Sequence, residues 1–223
     1  MIEFEEGCQL TIDEIAAVMA LSGRPQMVGF RTADTENMTP ERLWEACCRL
    51  MRDAMMTQIG GKFRLSRELA AVMKPLCQAR SVLVLTPASD LYAQMIFYLA
   101  EQVCAMKSTP FGRFVLRPLE RHEMAQMLEL HLELTYPQEM PEPEDQPPTL
   151  TVTAESGSRE LLEGARFLLE RFDPVTGQRT GWVRVLEQGP LSWLQWTVNN
   201  NIDCVPLTRR SMPMCITRSA WPA

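Results

Sequence analysis

Residues 166–207 read RFLLERFDPVTGQRTGWVRVLEQGPLSWLQWTVNNNIDCVPL, and this stretch decides the class of fold. Apolar and aromatic runs at 166–172, 182–188, 191–198 and 202–207 alternate with short segments rich in Gly, Pro, Asp and Asn. Those turn residues tolerate the dihedral angles of tight reversals, whereas the runs between them are rich in residues that favour strands. The pattern predicts a meander of antiparallel strands.

Helical signals dominate the other end of the chain. Thr11-Ile12-Asp13-Glu14 has the sequence of a capping box, with Thr11 at the N-cap and Glu14 at the third helical position. Thr39-Pro40-Glu41 opens a second helix, because Thr caps it and Pro suits the first helical turn. Ser66 is a suitable cap for a third, short helix. Helices followed by a strand meander predict an α+β fold.

The segment 91–107 fits two structures. A helix would align Leu91 with Met95, whereas a strand would place alternate side chains on opposite faces. The aromatic and β-branched content favours strands, with a turn near 100–102. A further strand is predicted at 112–117, followed by a helix at 119–134.

A connector is predicted at 135–150, which holds five Pro and four acidic residues and no basic one. Pro removes backbone donors and like charges repel, so this segment should be extended and solvated. It separates a helix-rich half with a β-meander, 1–134, from a β-rich half, 151–223. We expect both halves to share one twisted, mostly antiparallel sheet flanked by helices, in one continuous domain.

Composition limits the classes of function. The chain has 223 residues, a formal net charge of −6 and 46% hydrophobic residues, which predicts a folded domain and disfavours non-specific nucleic-acid binding. Its seven Cys include no CxxC pair, which is typical of buried thiols in a reducing compartment. The acidic start resembles no signal peptide, and no apolar run reaches the roughly 20 residues of a membrane span. We expect a cytoplasmic protein without membrane insertion.

No catalytic motif is present: the sequence lacks GxSxG, P-loop and GxGxxG patterns. The only two His, His122 and His131, are nine residues apart on a predicted helix and so project to opposite faces. They do not form a metal site together. The sequence therefore predicts no catalytic, metal-binding or cofactor-binding residues, and a protein that is not an enzyme.

Aromatic residues are the candidate partner contacts. Trp193 and Trp196 lie three apart on a predicted strand, so they point to opposite faces. The core is the default place for both, but an exposed Trp on a sheet would anchor a partner. With Tyr92 and Phe97 of the central segment, they form the predicted partner-binding set.

Residues 39–86 allow a different interpretation, because helix, Gly-containing turn, helix and strand is also the order of a winged helix. Arg64, Arg67 and Arg80 would then contact DNA on or near the second helix. The acidic charge of the chain and Pro75 within that short helix argue against a DNA-binding regulator.

The order of these elements carries a family resemblance. The capped helix at 10–22, the Thr39-Pro40-Glu41 start, the phrases FRLSRELA at 63–70 and GRFVL at 112–116, and the closing meander follow one another along the chain. This arrangement resembles the cytosolic chaperones of type VII (ESX) secretion systems, of the EspG type. The resemblance implies a central, largely antiparallel sheet flanked by helical bundles. It also implies binding of a secreted helical protein pair, which is kept soluble until export.

Three hypotheses of function follow. The first is a non-enzymatic binding protein, a cytosolic chaperone or adaptor for a type VII secretion substrate, whose partner is a helical secreted protein or another protein client. The alternative is a winged-helix-like DNA-binding regulator that uses residues 39–86. The third is an enzyme of unrecognised type, because a site can be assembled from residues remote in sequence.

Overall fold

The structure is a computed structural model of the chain. It describes residues 7–23, 27–30, 38–89, 93–131, 152–188, 191–198 and 201–211. Tyr92, the connector at 135–150 and most of the strand predicted around 149–153 lie outside these residues.

The helices begin where the caps predict. In the described residues they are α1 (Ile12–Leu21), α2 (Pro40–Arg52), α3 (Arg67–Cys77), α4 (Arg121–His131) and α5 (Ser158–Leu162). Thr11 and Glu14 complete the capping box of α1 reciprocally, as the sequence predicts: the Thr11 amide donates to Glu14 Oε2 over 2.8 Å, and the Glu14 amide donates to Thr11 Oγ1 over 3.3 Å. Ser66 caps α3 by accepting from the Leu69 amide. The caps thus fix three helix starts from local chemistry alone.

The strands form one large sheet and a separate hairpin. They are β1 (Cys8–Thr11), β2 (Met56–Ile59), β3 (Lys62–Leu65), β4 (Ser81–Pro87), β5 (Met95–Leu99), β6 (Val103–Ser108), β7 (Arg113–Leu119), β8 (Ala165–Phe172), β9 (Arg179–Gln188), β10 (Leu191–Val198) and β11 (Asn201–Pro206). In the described part of the chain, nine strands pair in the order β1-β7-β6-β5-β4-β8-β9-β10-β11, all antiparallel. The α+β prediction is confirmed, and in the segment 91–107 the described residues 95–99 and 103–107 form strands, not a helix.

The central pairing of the sheet joins the two halves of the sequence. Strand β4 lies between β5, its neighbour in sequence, and β8, which comes from the C-terminal half. Val82 is opposite Phe172 and Pro87 is opposite Phe167, so the two strands pair along almost their whole length. One backbone hydrogen-bond ladder therefore runs through both halves.

The Gly60-Gly61 pair is the turn of a hairpin between α2 and α3. Strands β2 and β3 pair antiparallel, and the two glycines between them have φ angles of 57° and 73°. Positive φ at both central residues is what a type I′ hairpin turn requires, and glycine adopts it without steric cost. The winged-helix interpretation placed a simple turn here, so it differs from the structure: the two helices do not form a helix-turn-helix pair.

The sheet buries a different cluster on each face. On one face, α1, α2, α3 and the hairpin pack over side chains such as Val84, Tyr98 and Leu116. On the other face, the α4 residues Met124, Met127 and Leu128 join residues of β4–β6 and β8–β10. Because strand side chains alternate in direction, neighbouring residues such as Val82 and Leu83 enter opposite clusters.

Candidate partner-binding surface

A groove of about 680 Å³ lies where four strands meet at one end of the sheet. The end of β4 and the start of β5 are neighbours there, as are the end of β6 and the start of β7, because these four strands form a meander. We call this feature the strand-end groove. It is lined by Ile12, Gly29, Phe30, Thr86, Pro87, Ser89, Ala93, Gln94, Ile96, Met106, Ser108, Gly112 and Phe114.

Among the described residues, the lining of the strand-end groove contains no ionisable side chain. It combines apolar groups such as Ile96 and Met106 with hydroxyl and amide groups such as Ser108 and Gln94. The Gln94 amide donates to Thr86 Oγ1 over 3.4 Å, which holds the β4 and β5 ends together. Charged groups would lose hydration here without gaining an ionic partner from the lining, so the groove suits an uncharged segment.

Phe111 directly precedes Gly112 of this groove in sequence and has 90% of its surface exposed. It belongs to the turn between β6 and β7, which is closed by two backbone bonds: Thr109 N to Arg113 O over 2.7 Å and Gly112 N to Thr109 O over 3.2 Å. Gly112, at the end of this turn, also lines the groove. A hydrogen-bonded turn therefore presents a large apolar side chain directly to solvent.

Sequence reasoning did not select Phe111. The signal that would have found it is the phrase Thr109-Pro110-Phe111-Gly112 between two predicted strands. Pro and Gly mark a turn, and a large aromatic residue at the tip of a turn has no strand neighbour to cover it.

The predicted partner-binding residues lie elsewhere in the molecule. Phe97 has 0% of its surface exposed, and Trp193 and Trp196 each have 4%. Trp196 packs in the cluster beside α4, whereas Trp193 points to the other face, as the spacing of three predicts. This differs from the prediction that these side chains contact a partner: they are packed within their own chain, so no surface remains on them for an anchor. Tyr92 lies outside the described residues.

The three arginines of the DNA-binding interpretation are exposed but do not share one element. Arg64 lies on β3, Arg67 begins α3, and Arg80 follows α3 directly before β4. The buried side of α3 carries Leu69 and Met73, which pack into the core. The hairpin between α2 and α3 takes the place of the tight turn that a recognition helix needs.

Buried polar groups in the C-terminal half bind one another. Glu170 pairs with Arg179 over 2.9 Å and accepts from Ser158 Oγ over 2.8 Å, which ties α5 to the sheet. Arg184 donates to Gln195 Oε1 over 2.9 Å and to the Leu161 carbonyl over 3.1 Å. These bonds satisfy groups that would otherwise be costly to bury, which is a structural role.

Within the described ranges, the buried thiols Cys47 and Cys104 are not activated for reaction, and potential metal ligands do not cluster. Burial raises the pKa of the Cys104 thiol far above its usual value and also raises that of Cys47. A thiol that resists ionisation is a poor nucleophile. Within those ranges no three His, Cys, Asp or Glu side chains gather as metal ligands. Nor does any described helix combine the length and apolar character needed to span a membrane.

Comparison with solved structures shows which known proteins have a similar fold. The sequence matches no protein-family model and none of the curated proteins. Nine solved chains are similar in structure, among them the Mycobacterium tuberculosis type VII secretion system chaperone EspG5, solved in complex with a PE25–PPE41 dimer. The similarity to EspG5 covers 97% of each chain with a TM-score of 0.51 at 8% sequence identity. The chain therefore shares its fold with a type VII secretion chaperone, over nearly its whole length.

Proposed function

We propose that this chain is a cytosolic chaperone or adaptor that binds a helical protein client of a type VII secretion system and acts by binding, not by catalysis. The single observation that carries the proposal is the exposed Phe111, next in sequence to a residue of the strand-end groove, whose described lining is uncharged. The fold shared with EspG5 supports it, because EspG5 is itself a chaperone seen with a protein dimer.

Phe111 provides the apolar contact. Covering a Phe side chain is worth roughly 1.5–3 kcal/mol relative to leaving it in water. Because the turn at 109–112 is closed by its own backbone bonds, the backbone that carries Phe111 is already ordered, and binding has only the side chain left to order. Large aromatic side chains of this kind are frequent among the residues that dominate interface energies.

The strand-end groove defines the client segment that fits next to it. Ile96, Met106 and Phe114 offer apolar contact, and the hydroxyl of Ser108 is placed to bond a polar group of the client. We expect an uncharged, partly apolar segment at the end of a helical hairpin to enter the groove while Phe111 packs against the helices behind it.

The test is co-expression of the chain with the helical proteins encoded next to its gene, followed by calorimetric titration of any stoichiometric complex. Phe111→Ser should weaken binding about tenfold or more, which corresponds to about 1.4 kcal/mol. Val175→Ser is the matched control, because Val175 is also exposed, at 62%, but lies in the β8–β9 turn at the opposite end of the strands.

Two outcomes would contradict the proposal. One is that no helical protein forms a stoichiometric complex with the wild-type chain. The other is that Phe111→Ser and Val175→Ser bind the client equally well, since the anchor would then lie on another surface.

A further inference from the structure

A second cavity, of about 280 Å³, lies at the other end of the strands from the strand-end groove. It is formed where β4 begins, where β5 turns into β6, where α4 begins and where β8 ends. Arg80, Arg121 and Arg171 come from three of these places and line the same cavity, which we call the arginine pocket. No single stretch of sequence would reveal it, because only the packing of α4 beside the strand ends brings these residues together.

Two carboxylates also line the arginine pocket. The carboxylate of Asp173 is already engaged, because its Oδ1 accepts from Val175 N over 2.8 Å, Thr176 N over 2.7 Å and Thr176 Oγ1 over 3.1 Å. These bonds also lower the pKa of Asp173. Glu101 is exposed in the β5–β6 turn. Among the described residues, the lining of the pocket thus carries three guanidinium groups and two carboxylates, and the Asp173 carboxylate accepts hydrogen bonds from its own turn.

The pocket holds an unused hydroxyl. Ser81 Oγ is buried and has no hydrogen-bond partner among the described residues. Most buried hydroxyls in folded proteins have a partner, so this one retains hydrogen-bonding capacity in the wall of the cavity. Its neighbour in sequence, Arg80, is exposed and also lines the cavity.

The guanidinium of Arg171 is held in place on the opposite wall. Arg171 Nε donates to Thr180 Oγ1 over 2.8 Å, and Nη2 donates to the Thr180 carbonyl over 3.4 Å. Burial lowers the pKa of Arg171, which shows that water screens this charge less than an exposed one. A fixed and partly desolvated cation attracts an anion more strongly than a mobile surface cation does.

We propose that the arginine pocket binds the phosphate group of a small phosphate monoester. A phosphate dianion presents several acceptor oxygens and two charges, which match three guanidinium groups and the Ser81 hydroxyl better than a single carboxylate does. The pocket is too small to follow a nucleic-acid backbone, and the chain carries a net charge of −6. This site is separate from the strand-end groove, so it adds a ligand to the proposed function without depending on it.

The experiment is calorimetric titration of the full chain with inorganic phosphate and, at equal ionic strength, with acetate. Phosphate should bind saturably and acetate at least tenfold more weakly. Arg80→Gln and Ser81→Ala should each weaken phosphate binding, the first by about tenfold or more. Arg80→Lys should fall between wild type and Arg80→Gln, because Lys keeps the charge but lacks the planar fork.

Arg64→Gln is the matched control, since it removes one exposed arginine on β3, which does not line the pocket. It should leave phosphate binding unchanged, and the thermal unfolding midpoint of each variant should match wild type in phosphate-free buffer. The proposal is overturned if phosphate does not saturate, if acetate binds as tightly, or if Arg64→Gln weakens binding as much as Arg80→Gln. It is also overturned if duplex DNA binds more tightly than phosphate and loses affinity equally in both arginine variants.

Discussion

Cys8 illustrates how a single buried side chain links folding to pH. It lies on β1 in the core, where burial disfavours its thiolate and the carboxylates of Glu68 and Glu14 repel it. Together these effects raise the pKa of Cys8 from 9.0 to about 11. The folded state therefore holds the Cys8 proton over a range of pH in which the unfolded chain has already released it.

We predict that the free energy of unfolding falls as pH rises from about 9 to about 11. Below pH 9 both states keep the proton and the contribution of Cys8 is constant, whereas within the window only the unfolded state loses it. Urea denaturation across this range should show a smaller alkaline loss in Cys8→Ala than in wild type. Cys48→Ala, which removes an exposed thiol, should keep the wild-type slope; equal slopes in all three proteins would contradict the prediction.

At the residue scale, the sequence predicts which face of the sheet a side chain lies on, but it does not predict whether other elements bury that side chain. The spacing of Trp193 and Trp196 gives their opposite orientations correctly, because strand side chains alternate. It does not show what lies over each face, since that depends on elements far away in sequence. Both are buried, whereas the side chain that is left uncovered, Phe111, lies in a turn that periodicity does not describe.

At the scale of elements, the sequence predicts helix starts more readily than it predicts short strands. Helix starts at Thr11, Thr39 and Ser66 are predictable because each side chain accepts a hydrogen bond from the backbone amide three residues further on. The hairpin β2–β3 escapes such reasoning because its strands have only four residues each: β3 alternates between exposed and half-buried residues, but β2 is exposed at all three positions after Met56. The winged-helix interpretation takes the two glycines as a turn between helices, although paired positive-φ residues are also typical of a hairpin turn.

The hairpin turn supplies a test at this scale. A Cβ added at Gly60 meets no atom within 4 Å, so substitution there changes only the backbone preference. Gly60→Val should lower the free energy of unfolding by about 1–2 kcal/mol, because a β-branched residue resists positive φ. Gly60→Asn should stay within about 0.5 kcal/mol of wild type, since Asn tolerates that conformation. Urea denaturation measures the stability of both variants. A Val variant as stable as the Asn variant would show that position 60 does not require a positive φ angle.

At the scale of the whole molecule, the sheet makes the two halves of the sequence interdependent. The cluster beside α4 contains Leu83 and Phe97 from the N-terminal half together with Phe167 and Val183 from the C-terminal half. The composition of each half predicts strands, but the β4–β8 pairing requires a choice of neighbours across the connector. Local sequence does not encode that choice, because it depends on how the remaining strands are already arranged.

We predict a single cooperative unfolding transition. Four of the five Trp residues lie in the C-terminal half, so Trp fluorescence reports mainly on that half, whereas far-UV circular dichroism includes the helices of the N-terminal half. The two signals should give the same urea midpoint, because the cluster beside α4 takes its side chains from both halves and the β4–β8 pairing joins them. Two separate midpoints would show that the halves are stable independently.

The pairing of β4 with β8 also bears on how the protein is made. Strand β4 ends at Pro87, whereas its partner begins only at Ala165, so the ribosome needs roughly 4–16 s to supply the missing strand. Throughout that interval the nascent chain carries an unpaired edge and the apolar side chains of Leu83 and Leu85. Translation is therefore the period in which this protein is most exposed to aggregation, and slowing elongation after residue 87 should lower its yield of native molecules.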